Sequence, residues 1–293
     1  MLSRRPVPGA SGAAMPPTAV VSVAGRRGHN EDVGGVRSAE VAGRPVSLLL
    51  VADGMGGHAH GEVASRLAAD ALSHRWGALV ADLAHALAPE ASGEAPAGDP
   101  GLPPEAEALA RAFLRESYAD AEAAIGAEGR GSGMGTTLVS AVVVGGHAIL
   151  GNVGDSRAYL VSDGRADQLT DDHSVVADAV RQGALTPEEA EASPFQHALT
   201  RALDGQGDRG PDLYPAEGWL PLGDAAVVLL CSDGLSGSVE PPEIADALAR
   251  TADVDEAART LAARAFEEGS PDNITLALLE HGTIRREGTA PLA

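Results

Sequence analysis

Four aspartates stand where an apolar segment begins or ends: Asp32 in "NED" (30–32), Asp53 in "VADG" (51–54), Asp233 in "CSDG" (231–234) and Asp272 in "SPDN" (270–273). Asp53-Gly54 and Asp233-Gly234 are especially alike, each an apolar run that delivers an aspartate straight into a glycine turn. A carboxylate at the mouth of a buried strand is costly unless something pairs with it. Several of them gathered from distant strands cannot all stay ionised without cations. Hard oxygen ligands beside open glycine backbone suit Mg²⁺ or Mn²⁺. No paired cysteines and no His-x-x-x-His spacing offer zinc a softer site. One Asp-Gly pair alone reads as a turn; four carboxylates at strand mouths read as a metal centre.

Composition narrows the partners. The 293-residue chain carries a formal net charge of -21 and has no lysine, so arginine supplies every fixed basic side chain. Nucleic acids and anionic membranes both require a basic face, and neither is expected here. Much of the acidic excess reads as solvated surface. The single cysteine, Cys231, excludes an intramolecular disulfide and suits a reducing compartment. It lies inside the apolar run 227–231, as a small core residue would, and not as a nucleophile. No apolar run approaches the roughly 20 residues of a membrane helix. "MLSRRPVPGASGAAMPP" has an arginine pair but no hydrophobic stretch, so it reads as a tail and not an export signal. A cytoplasmic, monomeric protein is expected.

The elements that must position the aspartates follow from periodicity. Residues 18–24 and 45–52 read as strands, the second apolar enough to be covered on both faces. Helices are predicted over 62–87 and 105–127, joined by the Pro-, Gly- and Ala-rich stretch 88–104, a flexible insertion. "TTLVSAVVV", "HAILGNVGDS" and "RAYLVSDGRADQLT" form a run of strands with tight turns. Thr186 and Pro187 mark a helix start inside 172–203. A strand over "AAVVLLCSDG", two short helices and a strand over "SPDNITLALLEH" close the domain, with 1–17 and 282–293 as tails. Strands and helices do not alternate regularly, so an α+β fold is expected, with helices on the faces of two largely antiparallel sheets in an α-β-β-α sandwich.

These same residues carry a family resemblance. "GRRGHNED", "VADGMGGHAHGEVAS", "GMGTTL", "GNVGDSRAYL", "LTDDHSVV", "LTRALDG", "CSDGLSGSV" and "SPDNITLALLE" occur in this order across residues 18–281. In these motifs the chain resembles the metal-dependent (PPM) type 2C Ser/Thr protein phosphatases in their bacterial form. The resemblance implies that Asp53 bridges two Mn²⁺ or Mg²⁺ ions and that the Gly54 carbonyl ligates one of them. Asp233 and Asp272 would complete the ligands of the first ion, Asp32 with Glu31 beside it would act on the second ion, and Asp155 of "GDSR" would hold a third, weaker ion. Arg27 would clamp the substrate phosphate, a planar guanidinium meeting two oxygens. Such a site lowers the pKa of a shared water, whose hydroxide attacks phosphorus in line without a covalent phosphoenzyme. Phosphorylated proteins, substrates of eukaryotic-like bacterial Ser/Thr kinases, are the implied partners. A relative that only binds a partner would need no complete set of Asp32, Asp53, Asp233 and Asp272.

Departures from the family pattern are few. Met55 stands where animal-type members carry a histidine that protonates the leaving alkoxide; His58, five residues after Asp53, is the candidate acid here, with His60 behind it. Residues 172–203 resemble the flap beside the active site, with Ser193 and His197 in place of the more usual His and Asn. Within it His173 is expected to cap the flap helix and Arg201 to be structural. Ser156 has no obvious base and is expected to be structural too.

Overall fold

Alternation along two apolar strands decides the layering. A computed structural model of the chain describes residues 14–56, 59–88, 101–129, 133–207, 210–284 and 286. Strands β1 (Thr18–Val23), β2 (Val33–Val41), β3 (Arg44–Ala52) and the two-residue β4 (Gly54–Met55) lead into two long helices, α1 (Ala59–Ala86) and α2 (Pro104–Glu128). Five strands follow: β5 (Gly135–Thr136), β6 (Leu138–Val144), β7 (His147–Val153), β8 (Arg157–Ser162) and β9 (Arg165–Gln168). Short helices α3 (Val175–Arg181) and α4 (Pro187–Glu191) precede β10 (Asp212–Tyr214), β11 (Leu220–Pro221) and β12 (Ala225–Cys231). The order closes with α5 (Asp233–Ser236), α6 (Pro241–Arg250), α7 (Val254–Glu267) and β13 (Ile274–Gly282).

Two antiparallel sheets result, one ordered β1-β13-β12-β8-β9 and the other β10-β7-β6-β3-β2, with β11 also on β7 and a small β4-β5 pair apart. In β3, Leu48 and Leu50 face α1 and α2 and pack with Leu72, Leu114 and Tyr118. Their neighbours Leu49 and Val51 point the other way, into a layer shared with Val228, Leu230, Ala277 and Leu279. β12 does the same in mirror fashion, because Val227, Leu229 and Cys231 pack against α6 and α7 through Leu248 and Leu261. Successive side chains of a strand point to opposite faces, so strands that are apolar throughout must be covered twice. The protein is an α-β-β-α sandwich of two antiparallel sheets flanked by helices, as the sequence led us to expect.

Some details differ from the sequence reading. β2 has no apolar run to betray it: "VGGVRSAEV" is polar and glycine-containing, and only its pairing with β3, Val33↔Ala52 to Val41↔Arg44, makes it a strand. Pro17, expected in a tail, accepts a hydrogen bond from the Glu280 amide at 2.9 Å. Arg286, expected in the other tail, pairs with the buried Glu280. Residues 1–13, 287–293 and 89–100, most of the expected tails and insertion, lie outside the described residues. Pairing also fixes where the functional ends meet. Val33 is opposite Ala52, Val23 opposite Ile274 and Cys231 opposite Arg157 and Leu276, so the ends that lead to Asp32, Asp53, Asp233 and Asp272 share one edge of the sandwich.

Candidate active site

At that edge a cavity of about 470 Å³ is lined by Arg27, Glu31, Asp53, Gly54, Asp155, His197, Asp233 and Asp272, among others. Asp53 is carried out of the sheet by β3, and its backbone is locked to the start of β6. Its amide donates to Thr137 Oγ1 at 3.1 Å, and its carbonyl accepts from Thr137 N at 2.9 Å and Thr136 Oγ1 at 2.8 Å. Asp233 opens α5 directly after β12, Asp155 sits in the turn between β7 and β8, and Asp272 precedes β13. Asp32 lies behind the wall, 7% exposed, its Oδ2 accepting from Ser232 Oγ at 2.9 Å.

The two Asp-Gly pairs are not the glycine turns the sequence suggested. Gly54 enters a strand and Gly234 lies inside α5. Their missing side chains serve close approach instead: a Cβ on Gly54 would sit 2.5 Å from the Glu31 carbonyl oxygen, and one on Gly234 would collide with the Asn273 carbonyl.

The electrostatics show what the cluster lacks. Burial, reinforced by Asp233 and Asp272, pushes the Asp32 carboxyl up to about 7. Burial does the same for Asp155, again to about 7, with Asp233 and Asp172 adding to it. Asp53 is raised well above the carboxylate range by burial and then by Asp32, Asp233, Asp155 and Asp272. Asp233 is raised by burial and by Asp272. Asp32 Oδ1 and Asp233 Oδ1 are buried with no hydrogen-bond partner. Buried carboxylates that repel one another and have unsatisfied oxygens call for positive charge. Among the described residues no three ligating side chains are already closed around one point; the carboxylates stand around the cavity walls. The donor set is all oxygen, which fits a hard divalent cation.

Arg27 reaches the rim with a side chain 55% exposed. Nη2 donates to Asp272 Oδ2 at 2.6 Å and Nε to the Pro271 carbonyl at 3.0 Å, which leaves both Nη1 protons and the second Nη2 proton for a ligand. His58 lies outside the described residues. His60 is exposed at the start of α1. Ser156 is fully buried and shares a hydrogen bond with Thr137 Oγ1 at 2.7 Å, a structural place. His173 does not cap α3: Ser174 does, accepting from Ala177 N.

Three contributions were not assigned from sequence. Asn273 ties the loop that carries Arg27 and Asp32 to β13, donating to the Ala24 and His29 carbonyls at 3.0 and 2.8 Å and accepting from the Glu31 amide at 2.8 Å. Ser232 holds Asp32. His197, noted only as a departure from the flap pattern, brings Nδ1 to 3.8 Å from Asp233 Oδ2. "SPDN" and "CSDG" contain the first two residues, but nothing in a linear pattern shows which partner each will meet.

Comparison with known proteins gives the family of the chain. The protein phosphatase 2C family model matches residues 29–269. The Ser/Thr phosphatase stp of Listeria welshimeri is 34% identical over 266 residues, 89% of this chain and 93% of that protein. The crystal structure of Stp1 from Staphylococcus aureus superposes with a TM-score of 0.74 at 29% identity, covering 97% of this chain and 100% of that one. The catalytic domain of the Ser/Thr protein phosphatase PstP, crystallised with two manganese ions, superposes with a TM-score of 0.68 at 34% identity over 90% of this chain and 98% of that one.

Proposed function

The chain belongs to the protein phosphatase 2C family and is a metal-dependent Ser/Thr protein phosphatase, and from that premise we propose that it hydrolyses phosphoserine and phosphothreonine at a dinuclear Mn²⁺ or Mg²⁺ site in the carboxylate cavity. One observation carries the reading: Asp32, Asp53, Asp155, Asp233 and Asp272 come from five separate segments, act on one another electrostatically, and leave two buried oxygens unsatisfied. Asp53, the Gly54 carbonyl, Asp233, Asp272 and Asp32 would hold the two ions, and Asp155 a third, weaker one. The two manganese ions of the PstP catalytic domain support this number. When bound, such ions supply a water of lowered pKa and offset charge on the phosphoryl group.

The chain's own residues do the rest. Arg27 offers Nη1 to a phosphate oxygen at the rim. Asn273 and Ser232 hold the loop and the carboxylate that frame the second position. His58 is assigned the proton for the departing alkoxide, and His58→Ala should then slow peptide turnover more than turnover of a phosphate ester with an acidic leaving group.

Substrates are phosphoproteins of the kind made by eukaryotic-like bacterial Ser/Thr kinases, met by a monomer in the cytoplasm. The net charge of -21 supports the absence of nucleic acid and membrane partners, and among the described residues no helix is long and apolar enough to cross a membrane. The test is hydrolysis of a phosphothreonine peptide and of p-nitrophenyl phosphate with and without Mn²⁺, beside Asp233→Asn. Turnover that needs Mn²⁺ and disappears in the variant is expected; turnover without metal, or tight Mn²⁺ binding with no turnover, would overturn the reading.

A further inference from the structure

His173 is 4% exposed and sits where the flap leaves the sandwich. It grips Gly154 from both sides: its backbone amide donates to the Gly154 carbonyl at 3.0 Å, and its Nδ1 accepts from the Gly154 amide at 3.0 Å. Gly154 holds φ +110°, and a Cβ there would lie 2.5 Å from Thr137 Cβ, so this backbone has little freedom to settle elsewhere. The next residue is Asp155, on the cavity wall.

Because Nδ1 accepts, the ring proton is on Nε2, which donates to Asp212 Oδ2 at 3.0 Å. Asp212 Oδ1 takes a second donor, Arg201 Nη1 at 2.8 Å, and Arg201 Nη2 reaches the Gly210 carbonyl at 2.7 Å. The His173 carbonyl accepts from Thr200 N at 2.8 Å, joining the outgoing and returning limbs of the flap. The returning limb carries His197 and Leu199 into the cavity.

We propose that His173 is a positioning residue for the phosphatase reaction: through Gly154 it sets Asp155 at the cavity wall, and through Asp212 and Thr200 it keeps both flap limbs in register with that wall. The metal readout of this inference rests on the function proposed above; the backbone readout does not.

The two ring nitrogens separate by isostere. Asparagine places an acceptor near the Nδ1 position and cannot reach Asp212, whereas glutamine places a donor near the Nε2 position and leaves the Gly154 amide unpaired. His173→Asn should keep Gly154 amide exchange, read by NMR on the metal-free protein, near the wild-type rate. His173→Gln should speed it about tenfold or more, since losing a hydrogen bond of ordinary net strength is worth about one decade. In Mn²⁺ calorimetry His173→Gln should weaken binding at the Asp155 position by about tenfold and add nothing further in an Asp155→Asn background. Asp212→Asn, at a half-exposed side chain, should speed Gly154 exchange by a smaller factor and serves if the His173 variants do not fold. Equal Gly154 exchange in wild type, His173→Gln and Asp212→Asn would overturn the inference, as would a His173→Gln loss undiminished by Asp155→Asn. A wild-type protein that binds no Mn²⁺ would instead overturn the proposed function, with the exchange pattern still judging His173.

Discussion

The Ser232 hydroxyl donates to Asp32 Oδ2 at 2.9 Å across 200 positions of sequence, while Asp32 Oδ1 is buried without a partner. The bond favours the ionised carboxylate that a cation needs, against the burial that disfavours it. Ser232→Ala should weaken Mn²⁺ binding at the Asp32 position by about 10- to 100-fold, the usual range for a hydrogen bond to a charged group. Mn²⁺ calorimetry beside thermal melting checks this; unchanged affinity in a folded variant would contradict it.

Asp53 separates stability from function. Its carboxylate is opposed by four others, so Asp53→Asn, which keeps the shape and removes the charge, should leave the metal-free protein as stable as wild type or more so at pH 8. The same change should abolish Mn²⁺-dependent turnover and the rise in Tm that Mn²⁺ gives wild type. A variant that melts lower without metal would show that Asp53 acts as a structural carboxylate.

The metal-free protein should lose stability as pH rises. Asp32 and Asp155 are pushed up to about 7 in the folded state, against about 4 when unfolded. Between those values the unfolded chain has released protons that the folded one still holds, so the carboxylates oppose folding increasingly from pH 4 to pH 7. One such group moved that far carries roughly 4 kcal/mol as an upper figure. Urea titrations in chelator at pH 5 and pH 7.5 should therefore show the lower midpoint at pH 7.5, and saturating Mn²⁺ should remove the difference. A midpoint that rises with pH in chelator would refute the sign.

What was legible in the sequence was whatever a local pattern controls. The end of β3, 48–52, and all of β12 are apolar at successive positions because both their faces are covered, and the aspartates that follow them are visible because the runs stop there. Thr186 caps α4 with Glu189 in a capping box, as Thr-Pro-Glu-Glu announces. β2 escaped because its partner supplies the order its own residues do not. Asn273, Ser232 and His197 escaped for a related reason: each acts on a residue brought near only by the sandwich, 242, 200 and 36 positions away for Glu31, Asp32 and Asp233. The Asp-Gly pairs misled in detail, since glycine there answers crowding by a neighbouring backbone and not a turn.

Tyr118 should separate the core from the chemistry in the opposite sense. Its hydroxyl is fully buried under α2, within 3.0 Å of the Leu138 carbonyl and Ser140 Oγ and 2.7 Å of the Gly151 carbonyl. Tyr118→Phe leaves those groups short of a donor in a dry place and should cost about 1–2 kcal/mol of stability. Denaturant melts should show the loss, while kcat and KM at 25 °C stay near wild type. A change in kcat would mean that this strand pairing reaches the site.

Arg27 tests how the phosphate is held. Two of its donors are engaged, Nη2 on Asp272 and Nε on the Pro271 carbonyl, so the guanidinium is fixed in orientation and presents Nη1. Arg27→Ala removes that donor together with a partner of Asp272, while the half-exposed side chain contributes little to the core. A charge-assisted bond to phosphate is worth about 1.5–3 kcal/mol, so kcat/KM for a phosphopeptide should fall about 10- to 100-fold. Arg27→Lys keeps the charge and loses the planar fork, so it should recover only part of that loss. The division between kcat and KM then carries the information. A loss confined to KM would mean that Arg27 binds ground state and transition state alike, whereas a fall in kcat would place its contact on charge that develops as the bond breaks. Full activity in Arg27→Ala would remove Arg27 from phosphate binding and leave it as a surface partner of Asp272.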